Sequence, residues 1–230
     1  METVVQLFLL PFAGGNSASF NEMVNYLDPR IEPLTIEYSG RLSRNKDGYI
    51  TNYKDFLIDV AGQIREHRDG KPWALLGYSL GSVLAFDIAS TGFSDEKLQH
   101  VFICARGDLK NRYISQMYAG LNDDEFAEKI AELGGFDERL LANKRFLRIF
   151  IKPVRNDYIV WGDYSFTDED RRIPCDATMI YSEKDPLCAD VRAWDALCAG
   201  STDYFVMGEN HFFIRDHYAD MAEIINRKLI

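Results

Sequence analysis

A serine hydroxyl becomes a nucleophile when an imidazole takes its proton and a carboxylate orients that imidazole. The chain offers one serine well placed for that use. Ser79 is centred in Gly77-Tyr78-Ser79-Leu80-Gly81. An apolar run precedes it and a helix-period stretch follows. A chain of this glycine and serine content should contain a G-x-S-x-G pattern about 0.06 times by chance, so its position between strand and helix signals is informative. The spacing predicts a tight strand–turn–helix with a strained serine backbone and a hydroxyl lifted above a sheet edge. Gly77 and Gly81 then stand where strand and helix pass too close for a Cβ.

The base comes from four histidines. His67 ends a helix pattern, His100 begins a strand and His217 lies in a terminal helix. His211 sits in a loop behind Gly208, just after a late strand, where it can reach Ser79. The orienting acid should lie between serine and histidine in the chain. Asp185 does so, after an apolar strand and before Pro186, at the strand end where open parallel sheets carry their sites. Asp87, Asp108, Asp163 and Asp176 compete from less favourable positions.

The elements that must position these groups alternate. Strand patterns cover residues 4–10, 31–38 (interrupted by Pro33), 73–76 and 98–105. Helix patterns cover 17–27, 53–67 and 80–89. This order predicts an α/β fold with a mainly parallel sheet and helices on both faces. From 106 to 164 the pattern turns helical, with segments at 123–133, 137–142 and 144–152. Asp123 and Asp124 are candidate caps of the first, and Gly134-Gly135 ends it. Such an insertion is the usual form of a lid. Strands return at 177–181 and 203–207, with helices at 191–198 and 216–229. The expected organisation is one domain over 1–230 with a helical lid at 106–164.

Composition bounds the partners. With 230 residues, 47% of them apolar, the chain can bury a large core, and its net charge of −10 argues against nucleic acid. Cys104, Cys175, Cys188 and Cys198 lack metal or redox spacing and read as reduced thiols of a cytoplasmic protein. No apolar run approaches the ~20 residues needed to span a membrane, and the N-terminal run reads as a first strand, not a leader. The loop at 11–16, after the first strand, could bring backbone N–H groups to a substrate carbonyl, although from the loop alone a plain strand-to-helix turn is the better reading.

Five stretches together resemble the type II, or editing, thioesterases of polyketide and non-ribosomal peptide synthesis, members of the α/β-hydrolase superfamily. They are LPFAGGNSASF, GYSLGS, LNDDEFAEKIAELGGFDERLLANKRFLRIFIKPVRNDY, IYSEKDPLC and ENHFFI. The resemblance implies a Ser79, Asp185 and His211 triad with an oxyanion hole from the backbone N–H groups of Ala13 and Leu80. It implies hydrolysis of acyl groups from the phosphopantetheine arm of acyl or peptidyl carrier proteins, with no metal or cofactor of the enzyme's own, by a monomer. Departures from the family pattern are Tyr78, Leu80, Ser39 before Gly40-Arg41, and Glu209-Asn210 before the histidine. A triad alone does not separate thioesters from oxygen esters. A chain-releasing medium-chain thioesterase, a carboxylesterase and a catalytically silent carrier-binding protein are the alternatives. Residues 139–155 hold Arg139, Lys144, Arg145, Arg148, Lys152 and Arg155 and no acid. That face could steer an acidic carrier protein, or be a solvated surface paired elsewhere. Phe126, Phe136, Phe146 and Phe150 read as core of the insertion before acyl channel.

Overall fold

The computed structural model describes residues 4–111, 118, 120–134, 144–167 and 170–230, without the side chains of 144–146, 148 and 149. Among the described residues six strands form one sheet: β1 (Val5–Leu10), β2 (Ile31–Thr35), β3 (Trp73–Tyr78), β4 (Leu98–Cys104), β5 (Asp176–Tyr181) and β6 (Thr202–Val206). Their spatial order is β2-β1-β3-β4-β5-β6, and every pairing is parallel. β1 and β3 are buried along their full length, as strands covered on both faces must be. Pro33 lies in β2, an edge strand, where its missing N–H breaks no ladder.

Side chains alternate between the two faces. Phe8, Leu75, Val101 and Met179 join one apolar cluster. That face carries α2 (Tyr53–His67) and α3 (Leu80–Ala89). Leu7, Leu9, Leu76 and Phe102 join a second cluster with α1 (Asn21–Val24) and α6 (Tyr218–Leu229). Between β4 and β5 in the chain lie α4 (Asp123–Glu132) and α5 (Lys144–Asp163), which pack on the first cluster. Among the described residues no helix is long and apolar enough to cross a membrane.

Several elements depart from the sequence expectation. The helix expected over 17–27 contracts to the four residues of α1 within a series of turns. The segment at 191–198 is a 3-10 helix, Val191–Leu197. The last helix splits into a 3-10 turn, Phe213–Asp216, and α6. α4 is capped by Asn122, not by Asp123 or Asp124. The Asn122 side chain accepts the N–H groups of Asp124 and Glu125, and Glu125 reaches back to the Asn122 amide. Such a reciprocal box satisfies two orphan donors at once. α5 runs through Pro153 to Asp163, eleven residues past the expected end at Lys152. A buried row of Leu147, Ile151, Val154, Tyr158 and Trp161 at helical spacing offsets the one bond that the proline removes. The segment expected at 137–142 lies outside the described residues.

Candidate active site

The strand register decides which loops can meet. Leu10 pairs with Gly77, Tyr78 with Cys104, Cys104 with Ile180 and Tyr181 with Val206. The C-terminal ends of β1, β3, β5 and β6 are therefore level, and the loops after them open on one side of the sheet.

Ser79 sits between β3 and α3 at φ 56°, ψ −109°, a conformation that costs a non-glycine residue about 1–3 kcal/mol. Its surroundings impose that backbone. A Cβ on Gly77 would lie 2.2 Å from the Gly81 carbonyl oxygen, and one on Gly81 would lie 2.0 Å from that of Leu10. The Ser79 N–H donates to the Cys104 carbonyl at 2.8 Å. The Ser82 hydroxyl accepts the Cys104 N–H at 3.1 Å and lies 2.8 Å from the Gly77 carbonyl. Since the Ser79 amide is engaged, the first donor the turn can offer a substrate is Leu80. Leu80 opens α3, where an N–H has no acceptor within its helix and the dipole favours negative charge.

The three predicted side chains come together. Ser79 Oγ lies 2.9 Å from His211 Nε2, and His211 Nδ1 lies 2.6 Å from Asp185 Oδ2. All three residues are buried, none more than 5% exposed. Asp87 is instead held by Tyr53 and Arg171, Asp163 accepts the Tyr53 N–H and Asp176 accepts that of Ser201. Burial alone would raise the Asp185 carboxyl. The charge and hydrogen bond of His211, with the Cys188 thiol and the Leu187 amide, outweigh it and hold the group below its usual range. Asp185 is thus an anion at neutral pH, able to fix the imidazole and balance its protonated form. The Cys188 thiol, 3.1 Å from Asp185 Oδ2, is pushed up by burial and by that carboxylate. It acts as a donor, not a nucleophile.

Sequence reasoning missed the supports of His211. The Tyr78 hydroxyl donates to the His211 carbonyl at 2.7 Å, so the turn holding the serine also holds the backbone of the histidine. The only sequence signal was the departure at position 78. The Asn210 side chain accepts the Phe212 N–H at 2.8 Å. This closes a local turn under His211 where the resemblance leads one to expect glycine.

Above Ser79, the Ala13 loop, Ile130 of α4, Leu133 after it, and Val154 and Tyr158 of α5 line about 10 Å³ of free space. That holds a single water at most. Phe126 is core, stacked edge-on to Tyr158, and Phe150 is exposed. Phe136 and the Phe146 side chain lie outside the described residues.

Of the candidate docking cations, Arg139 lies outside the described residues, and Lys144, Arg145 and Arg148 are described in backbone only. Lys152 is exposed, its ammonium 5.4 Å from the Tyr49 ring centroid. Arg155 is drawn inward, 2.9 Å from the Asp123 carboxylate and over the Phe126 ring.

The family model described as "Thioesterase domain" matches residues 5–229. The chain is 25% identical over 228 residues to the gramicidin S biosynthesis protein GrsT of Aneurinibacillus migulanus, covering 98% of this chain and 89% of that protein. It is 25% identical over 235 residues to thioesterase PikA5 of Streptomyces venezuelae, with 99% and 82% covered. Among solved structures, ClbQ from the colibactin non-ribosomal peptide/polyketide pathway superposes with a TM-score of 0.89 at 24% identity, covering 99% of this chain and 97% of that one.

Proposed function

This chain belongs to the thioesterase-domain family and is a hydrolase of thioesters, and from that premise we propose that it clears acyl groups from carrier proteins of a polyketide or non-ribosomal peptide synthetase. The observation that carries the catalytic part is the unbroken chain from Ser79 Oγ to His211 to the Asp185 carboxylate, at 2.9 and 2.6 Å.

In this reading His211 Nε2 takes the hydroxyl proton as Ser79 Oγ attacks the thioester carbonyl. The backbone N–H groups of Ala13 and Leu80 receive the oxyanion, each worth on the order of 10²–10³ in rate. Collapse breaks the carbon–sulfur bond. The pantetheine leaves as a thiolate, which needs little help because a thiol titrates near ~8.5, and it then takes up the proton held on Nε2, so that His211 is neutral again. A water then gives its proton to Nε2, attacks the acyl-serine and releases the acid, and His211 returns a proton to Ser79. Because His211 must begin neutral, kcat/KM should fall on acidification.

The inserted segment 106–164 acts as the lid, since its Ile130, Leu133, Val154 and Tyr158 lie over the serine. The basic run 139–155 receives the acidic carrier, with Arg155 contributing least because Asp123 already holds it. Lys152→Glu with Arg148→Glu should weaken hydrolysis of acyl-carrier protein and spare a small acyl-pantetheine; equal loss on both substrates refutes docking there.

A panel of carrier proteins bearing short to long acyl groups, assayed with wild type and Ser79→Ala, tests the whole. Release of free acid by wild type alone, with an acyl-enzyme seen by intact mass, is the expected result. Undiminished release by Ser79→Ala, or activity confined to oxygen esters, overturns the reading.

A further inference from the structure

Asp157 lies on α5 and is fully buried. Its Oδ2 accepts the Gly14 N–H at 2.6 Å, and its Oδ1 pairs with the Arg41 guanidinium, itself 6% exposed. Gly14 belongs to the loop after β1. There the Gly15 N–H donates to the Phe12 carbonyl at 2.8 Å, closing a turn with Ala13 second and Gly14 third. Gly14 has φ +81°, the value that a type II turn requires at its third position. The alternative, a type I turn, differs by a flip of the central Ala13–Gly14 peptide, and glycine tolerates both. A carboxylate anchored to Gly14 N–H selects one of them.

The other end of the loop is held as well. The Tyr38 hydroxyl donates to the Pro11 carbonyl at 2.8 Å, and the Arg41 guanidinium carbon lies 5.0 Å from the Tyr38 ring centroid. α5 also touches the loop directly: a Cβ on Gly14 would lie 2.4 Å from Val154 Cγ2. Ala13 therefore sits between two fixed points, one on the sheet side and one on the inserted helix.

We propose that Asp157 and Arg41 are positioning residues of the reaction: they lock the loop carrying the Ala13 donor in its oxyanion-binding turn and tie that turn to α5. The inference rests on the role given to Ala13 above. An ion pair suits the task better than either charge alone. A carboxylate grips an amide N–H more strongly than a neutral acceptor does, and Arg41 cancels the negative charge that would otherwise face the oxyanion one residue away. Loss of the pair should therefore act on the transition state, not on substrate binding.

The test replaces the pair by apolar residues of similar volume, Arg41→Met with Asp157→Leu, a change that buried ion pairs commonly tolerate in stability. With a small acyl-pantetheine thioester, kcat should fall 10- to 100-fold while KM stays within about threefold. Affinity for an alkyl trifluoromethyl ketone, which forms an oxyanion on Ser79, should fall by the same factor. Affinity for the matching thioether, which forms none, should not change. Asp157→Asn, which keeps an acceptor for Gly14 and nearly the same shape, should lose less than the double variant. It serves as the readout if the double variant does not fold. Full kcat in either folded variant, or equal weakening of ketone and thioether, overturns the proposal. A Ser79→Ala enzyme that still turns over would instead overturn the underlying function.

Discussion

Ser79, Asp185 and His211 stand on loops leaving the C-terminal ends of β3, β5 and β6, whereas Ile130, Val154 and Tyr158, which close over them, come from α4 and α5. The first group is held by directional bonds to a sheet whose register is fixed, and each polar atom of the triad has its partner at 2.6–2.9 Å. The second group is held by apolar and aromatic contact, such as Tyr158 stacked on Tyr118 with centroids 5.5 Å apart. Hydrogen bonds are lost steeply with misalignment; apolar contacts can slide and re-form with little directional penalty. Ser79, His211 and Asp185 are therefore set by directional bonds, and their cover packs mainly by apolar contact. Directional ties also cross from α5 to the rest of the fold: Asp157 accepts the Gly14 N–H, Asn156 donates to the Ile50 carbonyl and Asp163 accepts the Tyr53 N–H.

Removing the nucleophile should separate the two halves most sharply. Ser79→Ala should cut kcat by about 10⁴–10⁶ while leaving carrier binding intact. Ser79→Gly should be equally inactive yet melt higher than wild type, because glycine accepts φ 56° without strain. A lower melting temperature for the glycine variant would mean that the strain is not real.

Next comes the rigidity of the turn. Gly81→Ala should destabilise by about 3–5 kcal/mol, since the Leu10 carbonyl oxygen leaves its Cβ no room. Urea unfolding measures this, and a loss under about 1 kcal/mol would show that β1 and α3 can part.

On the inserted side, Ile130→Ala should cost about 2–4 kcal/mol. It should also widen the space by Ser79, shifting preference toward longer acyl chains with kcat largely kept. Unchanged chain-length preference would show that Ile130 is not part of the acyl wall.

The smallest effect is a pH response confined to the sheet. Burial, helped by Lys228, pushes the His100 imidazole of β4 down to about 4, where it stays neutral beside the Thr178 hydroxyl at 2.8 Å. The unfolded chain takes up that proton near ~6.5. The folded pKa is the lower one, so the contribution is complete above pH ~6.5 and is lost as pH falls towards 4, by about 1–3 kcal/mol. His100→Gln should flatten the urea midpoint over that interval. An NMR titration of His100 near its ordinary value would refute this.

Much of the site could be read before folding was considered. Gly77 and Gly81 bracket Ser79 because two backbones cross there, a steric demand visible as spacing. Serine, acid and histidine follow in order because each needs a strand end, and strand ends follow apolar runs. α2 and α3 begin and end where their patterns do. The cap of α4 is ambiguous in the sequence because Asn122, Asp123 and Asp124 are all competent caps, and only Asn122 has Glu125 three residues on. α5 outruns its sequence pattern because Pro153 counts locally as a stop, while its apolar stripe acts only once a core exists to receive it.

What the sequence by itself determined is thus what can be read along the chain: the bend at Ser79, the alternation of strands and helices, and the order of Ser79, Asp185 and His211. What only the tertiary structure decided are the long-range contacts. Arg41 meets Asp157 across 116 residues, and the Tyr78 hydroxyl meets the His211 carbonyl across 133. Composition and periodicity carry no information about such pairs. Each partner satisfies ordinary local rules alone, and the energy that selects the pair arises only when burial removes the water that would otherwise serve both.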